Sequence, residues 1–187
     1  MTDLALGVRR AAWGIRACGM VLGAVLVALA AQVSIPLPGT PVPMTLQPMA
    51  VLLVGGLLGP QLGALSMILY LAMGAAGLPV FTPTVPLPGI ARLFGPTGGY
   101  LLAYPVAAWA VGAVVREAPS MRRAACGVLV GLVLIHLGGL AQLAILTGSI
   151  LAAAQLATWP FLLGDLLKLV ILVPVLTKLT PTVRARL

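Results

Sequence analysis

Pro160–Leu176 reads PFLLGDLLKLVILVPVL, an apolar run interrupted by two charged side chains, Asp165 and Lys168. On a helix these two share a face, one turn apart, with about 4.5 Å of rise between them. The rest of the run is mostly leucine, valine and isoleucine, the composition of a segment bathed in lipid. Ionisable groups are costly there, so a pair aimed at one face reads as a polar site inside a helical bundle. An ion pair that only fixes helix packing is the alternative. Desolvation offsets the attraction of a buried pair, which makes it a weak source of stability. A ligand that needs both an acceptor and a cationic donor accounts for the pair better.

The surrounding chain agrees. Of 187 residues, 61% are hydrophobic and only 7% charged, and mean hydropathy is +1.16. A soluble domain carries about a quarter of its residues as charges. Residues 1–187 therefore read as a single integral membrane domain. The formal charge of +8 does not indicate nucleic acid, because the basic residues mark the ends of apolar runs and are not interleaved with aromatics. The partner they imply is the lipid bilayer. Cys18 and Cys126 have neither metal-ligand spacing nor an obvious bridging partner and read as free thiols. Arg9, Arg10 and Arg16, an apolar run and Ala28-Leu29-Ala30 resemble a signal peptide. The stretch is read instead as a retained first span, since a multi-span chain needs no separate signal.

Breaks in hydropathy predict an all-α protein of six transmembrane helices: Ala17–Val33, Thr45–Leu58, Gln61–Leu78, Gly98–Val115, Ala124–Leu146 and Leu156–Leu176. The second and third form a hairpin around Gly59-Pro60, the shortness of the second implying partial depth or completion by loop residues. The connection Ser34–Pro43 is too rich in proline for helix and is extended and semi-rigid, and Pro79–Thr97, with five prolines, is the most irregular stretch. Non-helical backbone at membrane depth needs burial in protein or a water-lined cavity, so the longer loop reads as functional. Arg9, Arg10, Arg16, Arg116, Arg122, Arg123, Lys178, Arg184 and Arg186 all fall on one side of six spans. The positive-inside rule makes that side cytoplasmic and places both termini there. The proline-rich loops then lie on the extracytoplasmic side. No internal repeat is visible, so an inverted-repeat carrier is not supported.

Arg92 is the one basic residue on the loop side. A guanidinium there binds a carboxylate or phosphate through parallel hydrogen bonds, or else faces headgroups and water. With Asp165 and Lys168 it favours a solute carrying a polar ring at one end and an anionic group at the other. Gln47, Tyr100, Tyr104 and Trp159 lie toward the same end, although tyrosine and tryptophan gather at membrane interfaces in any case. Trp159 is better placed than Trp109 to wall an apolar pocket, and Trp13 and Trp109 read as anchors. His136 has no carboxylate near it in sequence and reads as hydrogen-bonded across helices, not as catalytic. Further metal ligands are lacking in its vicinity, so no metal site is expected. Gly19, Gly23, Ala24 and Ala28 repeat at four-residue spacing on the first span, which suits docking onto another membrane subunit or close internal packing. No G-x-x-x-x-G-K-[ST] occurs, so the chain has no P-loop for ATP. One intramembrane carboxylate excludes a two-aspartate protease, and Ser66, Ser149 and His136 form no nucleophile motif; no catalytic residue is assigned.

The stretch Ile35–Gln47, IPLPGTPVPMTLQ, resembles the signature of the BioY family, the biotin-specific substrate-capture (S) components of energy-coupling factor (ECF) transporters. The similarity continues through VLLVGGLLGP (Val51–Pro60), GLPVF (Gly77–Phe81), GPTGGYL (Gly95–Leu101) and PFLLGDLLK (Pro160–Lys168). The resemblance implies a six-helix S component in the bacterial inner membrane, with an outward-opening biotin pocket capped by extracytoplasmic loops. A transmembrane coupling subunit and two cytoplasmic ATPases would supply the energy; they, not this chain, would use ATP, and this chain would bind no cofactor. A second copy of the chain is a further candidate partner. Family ligand positions map onto Asp165, Lys168, Arg92 and Tyr100, with Gln47 nearby. The middle of the third loop, Thr82–Gly89, departs from the family by being rich in proline where glycine and polar residues are usual. Biotin presents a ureido group with two N–H donors and a carbonyl. Asp165 would accept from it, Lys168 donate to it, and Arg92 take the valerate carboxylate, the reverse arrangement remaining open. Trp159, Leu163 and Val80 would cover the ring and alkyl chain. The main rival is a self-sufficient proton-coupled secondary carrier of a small anionic solute. An intramembrane enzyme and a purely structural subunit are the others.

Overall fold

Prolines and glycines set where each helix begins and ends. The computed structural model describes the backbone of residues 2–187 and side chains from Trp13 onward, Ala157 excepted; Arg9 and Arg10 lie outside the described side chains. Helix α1 runs Thr2–Gln32, beyond the predicted Ala17 start, because no breaker precedes it. It gives way to a two-residue strand, β1 (Ser34–Ile35), paired antiparallel with β2 (Met44–Thr45) in the register Ser34↔Thr45. The proline-rich loop between the strands is tied down where Thr40 Oγ1 donates to the Leu156 carbonyl, 2.7 Å away.

Helix α2 (Gln47–Leu58) starts with Pro48 in its first turn, where a missing N–H leaves no bond unmade. It ends at Gly59, whose φ of 87° and ψ of 176° are almost restricted to glycine, and Pro60 opens α3 (Pro60–Ala75). A one-turn helix, α4 (Ala91–Phe94), interrupts the second loop before α5 (Gly98–Val115). Ser120 Oγ caps α6 (Met121–Thr147) by accepting from the Arg123 N–H at 3.3 Å, and Gly148 ends it with φ 69°. A short α7 (Ile150–Ala157) and a 3-10 turn at Trp159–Phe161 precede α8 (Leu162–Arg184). The single span predicted over Leu156–Leu176 is thus broken near Pro160 and extended to Arg184, which brings Lys178 and Arg184 inside the helix. Among the described residues, four stretches are long and apolar enough to cross a membrane: Trp13–Gln32, Gly98–Val115, Met121–Thr147 and Ile150–Arg184. Helices α2 and α3, with 12 and 16 residues, are shorter.

The core is contributed by every long element: Val51 and Leu52 from α2, Tyr70 from α3, Val111 from α5, Ile135 from α6, Leu176 from α8. Helices α2 and α5 meet backbone to backbone, since a Cβ on Gly55 would stand 2.4 Å from the Ala108 carbonyl oxygen. The opposite faces are apolar too. Leu29, Ile68, Val106, Val133 and Val170 all point outward, as expected where the solvent is hydrocarbon. At the end of α8, Arg184 Nη2 donates to the carbonyls of Gly56 (2.8 Å) and Gly112 (3.0 Å), tying α8 to α2 and α5.

The small-residue stripe of α1 turns partly inward. A Cβ on Gly23 would lie 2.8 Å from Ser66 Oγ, and Ala24 is fully buried. Ala28 packs partly against the same core, and a Cβ on Gly19 would touch Leu58 and Leu187. Gly23 and Ala24 thus seat α1 against its own neighbours, while Gly19 is half-buried and borders an apolar cleft with Leu22, Leu58 and Leu187.

Candidate functional site

Phe161, Asp165, Lys168, Leu172 and Leu176 recur at intervals of four, three, four and four residues, the inward stripe of α8 and the turn before it. All five are buried. Lys168 Nζ donates to Asp165 Oδ1 at 2.7 Å, and His136 Nε2 on α6 stands 2.5 Å from Asp165 Oδ2. The carboxylate is therefore held at both oxygens by side chains of two helices. Tyr100, His136 and Phe161 pack around it, with ring centroids 6.2 to 6.5 Å apart.

A second polar chain runs from α2 into the long loop. Gln47 Nε2 donates to Tyr70 Oη at 2.5 Å, and Tyr70 Oη donates to the Val80 carbonyl at 3.2 Å. Arg92, from α4, lies beyond it. Its Nε donates to the Leu87 carbonyl at 2.7 Å, and its Nη2 to the carbonyls of Thr82 (3.0 Å) and Val85. Each of those carbonyls belongs to a residue directly before a proline: Pro83, Pro86 and Pro88. Prolines remove N–H groups from the loop, so its carbonyls must find donors elsewhere, and the guanidinium supplies them. Arg92 Nη1 is buried and has no hydrogen-bond partner among the described residues. Phe81 lies under the guanidinium, 5.9 Å from ring centroid to carbon. Burial lowers the Arg92 pKa from its ordinary value, with the nearby Tyr70 hydroxyl acting in the opposite sense.

These groups border one cavity. Gln47, Arg92, Tyr100, His136, Asp165 and Lys168 supply its polar lining, and the remainder is largely apolar. The free space, open mouth included, is about 620 Å³. Among the described residues no group of three or more His, Cys, Asp or Glu could hold a metal.

Residues 7–185 match the profile of the BioY family. The chain belongs to the BioY family. It is similar to a Pyrococcus horikoshii protein described as a probable biotin transporter BioY, with 40% identity over 76% of this chain and 82% of that one. A Thermotoga maritima protein described as the biotin transporter BioY is 36% identical, over 78% of this chain and 84% of its own. Among solved structures, the S-component for biotin from an ECF-type ABC transporter superposes with a TM-score of 0.79 at 25% identity, covering 88% of this chain and 89% of that one.

Within this BioY-family frame, three expected wall residues lie elsewhere. Trp159 is 66% and Leu163 81% exposed, both on the outer surface. With Asp165 facing inward, a residue two positions earlier lies about 200° around the helix and must face outward. Phe161, four positions earlier, takes the inward place. Val80 is buried but contributes its carbonyl to Tyr70, while Phe81 and Thr82 face the cavity. His136 enters the site after appearing isolated in sequence. Its carboxylate partner is 29 residues away, so only the approach of α6 to α8 reveals the pair.

Proposed function

We propose that this chain is the S component of an ECF-type transporter and captures biotin for uptake across the membrane. The observation that carries this reading is one cavity lined both by the Lys168–Asp165–His136 cluster and by the partnerless Nη1 of Arg92. The names of its relatives point the same way. The ureido N–H groups donate to Asp165, Lys168 donates to the ureido carbonyl, and Arg92 Nη1 donates to the valerate carboxylate. Tyr100 and Phe161 wall the bicyclic body, and Gln47 borders the space.

In the same reading the protein is a six-helix unit of the cytoplasmic (inner) membrane with both termini cytoplasmic, supported by the placement of its basic residues. A coupling subunit and ATPase subunits complete the transporter and consume the ATP, which suits a sequence without a P-loop motif. The chain is a transport component and not an enzyme. A self-sufficient proton-coupled carrier gains nothing from a family described through an ECF component.

The test is a binding titration of the purified protein with biotin and with biotin amide. Tight binding of biotin, weakened for the amide by roughly tenfold, is expected. Absence of biotin binding would overturn the assignment, and equal binding of both would remove Arg92 from it.

A further inference from the structure

His136 is the single histidine of the chain and sits on α6, opposite Asp165. Lys168 has donors only, so Asp165 accepts from it at Oδ1. An ionised carboxylate accepts at Oδ2 as well, which puts the hydrogen of the 2.5 Å contact on His136 Nε2. The two donors come from different helices and engage different oxygens. Without the imidazole, the carboxylate is free to turn and close on Lys168 through both oxygens, withdrawing its acceptor edge from the cavity.

A second observation bears on the same bond. Between α6 and α8 an aliphatic cleft lined by Val133, Leu137, Leu166 and Leu169 reaches inward to His136 and Asp165 from the apolar outer face. The two residues border both this cleft and the ligand cavity. Asp165 thus stands between the ligand cavity and the hydrocarbon side, where an unpartnered carboxylate oxygen is costly. A donor is needed there, and His136 provides it.

We propose that His136 is a positioning residue of the ligand site: it fixes Asp165 so that the carboxylate, held at its other oxygen by Lys168, offers a set acceptor edge to a neutral N–H donor of the ligand. The proposal rests on the cavity being the biotin site. Its signature is selectivity. Biotin should be preferred over an analogue methylated at its ureido nitrogens, and that preference should depend on His136.

The experiment compares wild type, His136→Phe and His136→Gln in titrations with biotin and N-methylated biotin. His136→Phe should weaken biotin binding roughly 10- to 100-fold while leaving the already weak binding of the analogue little changed. His136→Gln, which keeps an N–H donor, should recover part of the preference. Variants that lose both ligands in equal proportion, or that keep the wild-type preference, overturn the proposal. Imidazole 15N NMR of wild-type protein avoids substitution altogether, because one histidine gives one set of signals. Nε2 should carry the hydrogen in the ligand-free protein, and its signal should move when biotin is added. An unprotonated Nε2, or a signal indifferent to saturating biotin, overturns the proposal. Failure of wild type to bind biotin is a separate result that strikes the functional reading itself.

Discussion

The α8 side of the cavity and the loop side hold their charges in different ways. On α8, Lys168 and His136 engage Asp165 through side chains alone, at 2.7 and 2.5 Å, on a regular helix whose backbone needs nothing from them. On the loop side, Arg92 gives its Nε and Nη2 hydrogens to three backbone carbonyls and keeps Nη1. In the proposed biotin site, the α8 charges therefore keep their polar groups for one another, for His136 and for the ligand. An arginine inside a proline-rich loop organises the loop first and meets the ligand with what remains.

This contrast can be broken by measurement. The largest effects belong to α8: Asp165→Asn and Lys168→Met, singly, should each weaken biotin binding by a hundredfold or more. Each also leaves a buried partner uncompensated, a cost of about 3–5 kcal/mol in comparable pairs. The double variant should regain much of the thermal stability in detergent but none of the affinity; recovery of both would reduce the pair to packing. Arg92→Lys comes next, with about tenfold weaker binding and faster proteolysis of the 79–97 loop, since an ammonium cannot span three carbonyls. An Arg92→Lys loss as large as that of Lys168→Met would erase the distinction between the two sides. Gly59→Ala should lower stability by about 1–3 kcal/mol without altering the affinity of the folded fraction, because the hinge lies outside the cavity lining. The smallest effects are expected at Trp159→Ala and Leu163→Ala, within about twofold of wild-type affinity; a tenfold loss at either would return it to the ligand wall.

Legibility followed the same division. Helix periodicity located Asp165 and Lys168 on one face, and the boundaries of α5 were readable because Thr97 and Arg116 bound a run without a charged residue. Trp159 and Leu163 were misplaced by proximity in sequence, although the inward stripe from Phe161 to Leu176 was available as a signal. His136 needed the fold, since nothing local predicts a partner 29 residues away on another helix. The inward turn of Gly23 and Ala24 was equally hidden, because small residues look alike whether they seat a foreign helix or a native one. In the loop, Arg92 was found by charge alone. Its commitment to the carbonyls preceding Pro83, Pro86 and Pro88 was written in the sequence, but only as spacing whose meaning depends on how the loop folds back.

Nine of the 16 prolines stand in the two loops, 34–43 and 79–97, that border the proposed biotin cavity, and their rings freeze backbone rotation before a ligand arrives. In that proposed role, loops that are already stiff have little disorder left to surrender on binding, so the cost of ordering falls on the protein's own folding and not on each capture event. Tightness gained this way shows up as long residence of the guest under its cover, independent of any added contact.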